Sequence, residues 1–425
     1  MSLAASFYSA LSGLDTSSTA MQVIGDNIAN LNTTGFKSSS VLFEDVLGQS
    51  LSTVSGTQRL GVGAKISSVD GNFTQGTLNT TNVGTDVAAN GKGFFVLRDQ
   101  VSDEEFYTRA GHFYVDNTGY YVNNQGMRVQ GYLYDDTGTN MVETLADIRV
   151  DQSSMVAPRI TSTAEMALNL DAAETATTFN ISDPGGTSNY STAITVYDSL
   201  GTSHTITTYF SKAAAAQTWQ WNATIDGSDV QGGTAGTPLL FGTGTLGFVS
   251  SGALSSAMPV SFYTGSGATA ITFANGIAAS AVSVDFTGTT QYGAPSTIET
   301  LNQDGYAAGM LSAVTVNGDG TIVGNYTNGQ IKNIAQLVLA DFTNLNGLSR
   351  AGASLYKSST NSGEPLHNRP GVGGMGTISS GMLEESNVDL AAEFVKMIIT
   401  QRGYQANTKI ITTVDEMMAQ LLNVK

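Results

Sequence analysis

Apolar positions at the two ends of the chain recur at alternating steps of three and four. At the N-terminus they fall at Leu3, Phe7, Ala10, Leu14, Ser17, Met21, Ile24, Ile28 and Leu31, with one small polar residue in the series. That is the a/d spacing of a coiled-coil seam. The faces between carry Ser2, Ser6, Ser9, Ser12, Thr16, Ser18 and Thr19 and almost no charge. Serine and threonine are poor helix formers, and no Glu–Lys pairs brace the turns. A helix of about 30 residues, roughly 45 Å long, would be marginal alone in water. At the C-terminus Leu390, Phe394, Met397, Tyr404, Ile411, Val414, Met418 and Leu421 keep the same rhythm, with polar Gln401 and Thr408 filling two slots. Ser386 or Asn387 offers a start, and Asp389 and Glu393 suit the positive end of the helix dipole.

No helical pattern of comparable length lies between these ends, so each stripe is most economically buried against the other. Each fully buried Leu, Ile, Phe or Met contributes about 1.5–3 kcal/mol, and a lone antiparallel pair covers only part of that surface. Two arrangements stay open: an intramolecular hairpin that staples the ends, or a polymerisation element ordered on assembly. The Ser/Thr-rich faces, which hold a monomeric helix weakly but permit close packing, favour the second.

The middle is β in character. Phe94–Leu97 is a buried run, continued by Tyr107, Phe113 and Val115, and turns at 116–119 and 123–126 separate short strands. Ala193–Phe210 reads as a hairpin around Asp198–Gly201, with Ile194 and Val196 facing Ile206, Thr208 and Phe210. Trp219, Trp221 and Ile225 share one strand face. The stretch 232–270 is rich in Gly, Ser and Thr, and Lys212 is the only basic residue between Arg159 and Lys332, which suggests a solvent-facing module of low packing density. The expected organisation is a helix at 1–31, an extended connector at 32–90 and an inner β domain in two parts, 91–151 and 301–358. An outer β domain is inserted at 152–300, with a return linker at 359–382 and a second helix at 383–425. The fold class is mainly β: nested antiparallel domains with long terminal helices pairing as a coiled coil.

Composition narrows the function. Eighteen Lys+Arg stand against 35 Asp+Glu over 425 residues, a net charge of -17. Such a surface repels phosphate backbones and anionic lipid, so neither nucleic-acid binding nor direct membrane insertion is expected. No run of apolar residues is long enough to span a bilayer, and Met1–Leu14 has no basic n-region of a cleavable leader. Cysteine is absent, which excludes thiol catalysis, disulfides and Cys-ligated metals.

Catalytic chemistry is not visible. His112, His204 and His367 are the only histidines, none in a paired motif, and each reads as structural or surface. Gly371–Gly376 spells GxGxxG, yet it follows Pro370 instead of a strand, so a bending linker accounts for it. Asn317 and Asp319 lack the calcium-loop pattern and read as a hairpin turn. No catalytic, cofactor or metal site is assigned, and no cofactor is expected. At the end of the first helix Asp26, Asn27, Asn30 and Asn32 lead into a turn where Gly35 takes a left-handed conformation, Phe36 packs back and Lys37 stays solvated.

Asn27-Ile28-Ala29-Asn30-Leu31-Asn32-Thr33-Thr34-Gly35-Phe36-Lys37 resembles the N-terminal signature of the bacterial flagellar axial proteins, the rod, hook and hook-associated families. Ser386-Asn387-Val388-Asp389 through Phe394, with Gln401-Arg402-Gly403-Tyr404-Gln405-Ala406-Asn407, resembles their C-terminal signature. Thr108-Arg109-Ala110-Gly111 with Phe113 belongs to the same group. Val196–Gly201, Asp304–Gly309 and Gly324–Gln330, together with the length, make the hook family the nearest resemblance. The resemblance implies a non-enzymatic subunit of a flexible helical tube that transmits torque from rod to filament and encloses the export channel. It implies many copies of the chain as partners, together with rod, hook-cap and hook–filament junction proteins and the flagellar type III export apparatus. The implied location is extracellular, at the flagellar basal body and hook. A distal rod or junction protein is the nearest alternative. A glycan-binding module using Trp219 and Trp221, or a glycosidase, is more distant.

Overall fold

The computed structural model describes residues 3–53, 56–151, 155–262, 272–277 and 281–423; within its helices and strands, only the backbone is described at 3–5, 47–53, 56–60 and 421–423. The chain divides into two compact units, one of residues 1–152, 313–325 and 331–425, the other of 153–312 and 326–330. The fold is mainly β, with one long helix at each end.

In the first unit, helix α1 (Leu3–Ala29) runs into a long antiparallel hairpin, β1 (Ser39–Thr53) and β2 (Gly56–Gly71), and helix α2 (Leu390–Asn423) closes the chain. The stretch 39–71, expected as connector, is thus a paired ribbon, and α1 lies between it and α2. On the ribbon side, the Ala64 amide donates to Ser12 Oγ at 3.2 Å. On the other side, Gly13 meets Asn407: a Cβ on Gly13 would stand 2.5 Å from Asn407 Nδ2. Asn27 meets Glu393 at 3.3 Å. These two contacts are fourteen residues apart on each helix, in opposite chain directions, so α1 and α2 pair antiparallel over four turns in one register. Fourteen residues is two heptads, the repeat at which a coiled-coil seam returns to its partner.

Helix α2 starts at Leu390, later than Ser386 or Asn387, because Asp389 caps it: its Oδ1 accepts from the Ala391 and Ala392 amides at 2.9 and 3.1 Å. The β part of this unit centres on strand Phe94–Arg98, paired with Glu105–Thr108, Arg128–Tyr134 and Leu339–Asp341. Aromatic rings fill one core there, with Tyr107 and Phe342 edge-on at 4.8 Å and Phe94 and Tyr356 at 5.7 Å. Strand Val87–Asn90 pairs with Thr377–Ser380, and Leu78–Thr80 with Met382–Glu384, so segments on both sides of the chain's middle close the same module.

The second unit holds a four-stranded antiparallel meander, Tyr190–Tyr197, Ser203–Lys212, Thr218–Asp226 and Pro238–Gly247. A further four-stranded sheet includes Thr163–Asn169 and Thr297–Gln303. The two share one core in which Trp219, Trp221, Phe210, Phe262 and Phe286 are fully buried. Of the stretch 232–270, expected to pack loosely, residues 263–270 lie outside the described residues, whereas strand Pro238–Gly247 packs closely: its glycines let the Trp221 ring and the backbone at Phe262 approach. Burial of both indoles also removes the surface that a glycan-binding reading requires.

Candidate functional site: the latch joining the two ends

Below the helix pair, residues from opposite ends of the sequence interlock. Asn27, buried at the last turn of α1, uses its whole side-chain amide: Nδ2 donates to the Ser39 carbonyl at 2.8 Å, and Oδ1 accepts from the Ser39 amide at 2.9 Å. The same Nδ2 reaches Glu393 of α2. Asn387 does the reciprocal work from the C-terminal side. Its Oδ1 accepts from the Ser38 amide at 2.8 Å, and its Nδ2 donates to the carbonyls of Asn72 and Thr74 at 2.8 and 3.1 Å. An amide that both donates and accepts can replace a ladder pair where the backbone cannot supply one. Asn30 caps the helix end by donating to the Asp26 carbonyl and accepting from Thr33 Oγ1, whereas Asn32 is exposed.

Lys37 is the main correction to the sequence reading. Its side chain is 0% exposed, and so is that of Glu384, whose Oε1 accepts from Lys37 Nζ at 2.5 Å. Nζ also donates to the Thr74 carbonyl at 2.7 Å, and the Gly76 amide donates to the same Glu384 oxygen at 2.8 Å. Arg109 approaches the other carboxylate oxygen at 3.5 Å and donates to the Ala89 and Gly91 carbonyls at 3.2 and 2.7 Å. Burial pulls both cations below their ordinary pKa values, and the Glu384 carboxylate opposes that shift for each. One carboxylate thus serves two buried cations, with backbone carbonyls supplying the remaining acceptors. Gly35, at φ 68°, crosses the Arg109–Ala110 backbone so closely that a Cβ would sit 2.4 Å from the Ala110 amide nitrogen. Phe36 lies under the Arg350 guanidinium at 5.6 Å, and Arg350 donates to the Lys37 carbonyl at 2.8 Å.

The helix positions divide clearly. On α1, Ala10 and Ile24 are buried, Leu14, Met21 and Ile28 are half-buried and Phe7 is exposed; Leu31, expected on the helix, is half-buried in the turn beyond its end at Ala29. On α2, Val414 is buried and Met397, Asn407 and Ile411 are half-buried; Leu390, Phe394, Gln401, Arg402, Tyr404 and Met418 are exposed. Leu3 and Leu421 lie where only the backbone is described. The positions buried between the helices include Thr16, Ala20, Asn27 and Glu393, small or polar residues that a search for apolar steps passes over. Glu384 also escapes the sequence, since nothing local distinguishes it from the exposed Glu385 beside it.

None of this geometry is catalytic. Among the described residues no group of three or more His, Asp or Glu side chains could hold a metal, and no helix is long and apolar enough to cross a membrane. His204 is buried, stacked on Phe273 at 3.8 Å, and its Nε2 lies 3.4 Å from Asp198; His112 bonds to Asp86 at 2.7 Å. The arrangement ties the two ends of the chain into one structural element; fold alone assigns no function.

Four family models match. Residues 7–37 match the flagella basal body rod protein family, 88–188 the flagellar hook protein FlgE/F/G D1 domain, 169–306 the flagellar basal body protein FlaE D2 domain, and 379–424 the flagellar basal body rod FlgEFG protein C-terminal family. The flagellar hook protein FlgE of Treponema pallidum is 37% identical over 475 residues, covering 99% of each chain. That of Salmonella typhimurium is 37% identical over 430 residues, covering 99% of this chain and 100% of its own. The crystal structure of Helicobacter pylori flagellar hook protein FlgE2 superposes with a TM-score of 0.50 at 15% identity, covering 72% of this chain and all of that one, a likeness of fold. The chain belongs to the flagellar hook protein family, and is a structural axial component of the hook.

Proposed function

We propose that the terminal helices form the continuous, least compliant inner layer of the hook tube, surrounding the channel through which later subunits are exported. The observation that carries this reading is the outer surface of α2. Phe394, Val395, Ile398 and Ile399 are all exposed in the single chain, Ile399 at 65%, and exposed Ile410 and Met417 lie on the same side of the helix as Ile399 further towards the C-terminus. An exposed apolar cluster such as 394–399 on one helix marks an assembly surface. Copies of the chain cover it; a contact between unlike surfaces that does not close into a ring repeats as a helical tube.

The β modules then meet their neighbours through weaker, polar contacts of the Ser, Thr, Asn and Gly surface, which exchange with water as the tube bends and so let it work as a universal joint. Rod, cap and junction proteins are the expected partners at its ends, the type III apparatus exports it, and it works outside the cell. Ile398→Asp with Ile399→Asp is the test. Negative-stain microscopy under polymerising conditions should show no filaments, while far-UV circular dichroism keeps the β signal of the parent. Filaments of normal length from the double variant would sink the assignment.

A further inference from the structure

The two ends of one strand in the first unit carry complementary features. At the N-terminal end of strand Phe94–Arg98 lies an open cavity of about 700 Å³, lined among others by Phe73, Phe94, Phe342, Asn344, Lys92 and Arg109. Lys92 is exposed and makes no ion pair among the described residues, in a chain with about twice as many acids as bases. Arg109 is buried, its Nε makes no hydrogen bond, and Glu384 is the single carboxylate it shares with Lys37. Asp341, also on the wall, accepts from the Phe342 amide. Phe94 and Phe342 are themselves buried and Arg109 is buried and paired with Glu384, so the groove offers half-buried Phe73 as its apolar surface and Lys92 as its exposed cation, beside Asp341.

At the other end of the strand, about 16 Å of β-structure away, the chain turns back through 99–104. Val101 at its tip is 94% exposed. The turn is built to hold it there. Asp99 Oδ2 accepts from the Ser102 amide at 3.1 Å and from Ser102 Oγ at 2.7 Å, and the Asp103 amide bonds to the Asp99 carbonyl with Asp103 at φ 57°. Four carboxylates, Asp99, Asp103, Glu104 and Glu105, surround it against two cations, Arg98 and Lys357. It is an apolar knob in an acidic collar, already ordered before it binds anything, which lowers the entropy cost of docking.

We infer that the Val101 turn of one copy docks into the Phe73–Phe94–Phe342 groove of the next, with its acidic collar against Lys92. Knob and groove sit at opposite ends of one strand, so the contact is head-to-tail: a copy that fills its neighbour's groove still offers its own. Charge complementarity fixes the polarity, since knob against knob sets acid against acid. This contact rests on the self-assembly reading above and adds to it a specific link between β modules.

The absence of cysteine makes the test clean. In the full chain, Lys92→Cys combined with Val101→Cys, polymerised and treated with a short bis-maleimide, should give a ladder of covalent multimers that neither single variant gives. Lys92→Glu should slow filament growth about tenfold, and adding Asp103→Lys should restore most of it. Filaments of the double-cysteine variant that crosslink no further than the single variants would overturn the contact and leave assembly intact. Failure of the unaltered chain to form filaments would overturn the assembly reading, and this contact with it.

Discussion

Lys37 and Glu384 lie 347 positions apart in sequence and meet at 2.5 Å with both side chains wholly removed from water. Because Arg109 shares the same carboxylate, Glu384 is the keystone of the cluster. Truncating one partner of a buried ion pair typically costs about 3–5 kcal/mol, since the survivor stays buried and unpaired. Glu384→Gln should cost at the upper end of that range, as it strands two cations. Adding Lys37→Met should recover part of the loss by removing one of them, a non-additivity that guanidinium unfolding followed by far-UV circular dichroism would expose. Losses that simply add would mean that the two residues do not act as a unit.

Gly13 of α1 faces Asn407 of α2 with no room for a side chain between them, since a Cβ on Gly13 would press on the Asn407 amide. Gly13→Leu should force the pair apart and abolish filaments, and Asn407→Ala in the same chain should restore them in part by vacating the space. Growth assays of the two single variants and the pair would show whether size is traded across this point.

How far these relations could be read from the sequence depends on their range. The three–four rhythm locates both helices because a seam is a local property of successive turns, and turns such as Asn317–Gly320 announce themselves by residue type. The solvated Lys37 was a reasonable local expectation and was wrong because its partners, Glu384 and Thr74, are brought to it by the fold. The ribbon 39–71 is illegible for a related reason: its glycines and exposed Leu42, Phe43 and Val69 blur the strand alternation, and packing against α1 supplies what the alternation lacks. Helix α2 is ambiguous in another way. Apolar residues occur almost all round it, so the sequence admits several stripes, and only the register with α1 separates inward Val414 from outward Ile399.

Asp304, in the segment that resembles the hook family, anchors the second unit rather than any ligand. Its carboxylate accepts from the Ser162 and Thr163 amides at 2.8 and 2.9 Å and pairs with Arg159 at 3.1 Å. Burial alone would raise its pKa, but these hydrogen bonds outweigh it and hold the group at about 2, below the ordinary 3.8. A depressed carboxylate stabilises the fold fully above its unfolded pKa and loses that contribution as pH falls through the folded one. The second unit should therefore weaken between about pH 4 and 2, and Asp304→Asn should be less stable at pH 7 with a flatter acid dependence across that window. Urea midpoints measured against pH, read by tryptophan fluorescence, check both the sign and the window.

That readout is specific because Trp219 and Trp221, the only tryptophans, are both buried in the second unit, whereas both long helices belong to the first. Fluorescence and the helical dichroism signal consequently report different modules of the same chain. Phe286 touches Phe210, Trp221 and Phe262 at 6.0–6.4 Å between centroids, so Phe286→Ala opens a cavity in that core and should cost about 3–5 kcal/mol. It should shift the fluorescence transition and leave the dichroism transition in place. Ile24→Asp, which buries a charge on α1, should do the reverse. If each substitution moved both transitions equally, the two units would unfold as one, and a β module that yields while the helix pair stays intact would no longer be a physical description of this chain.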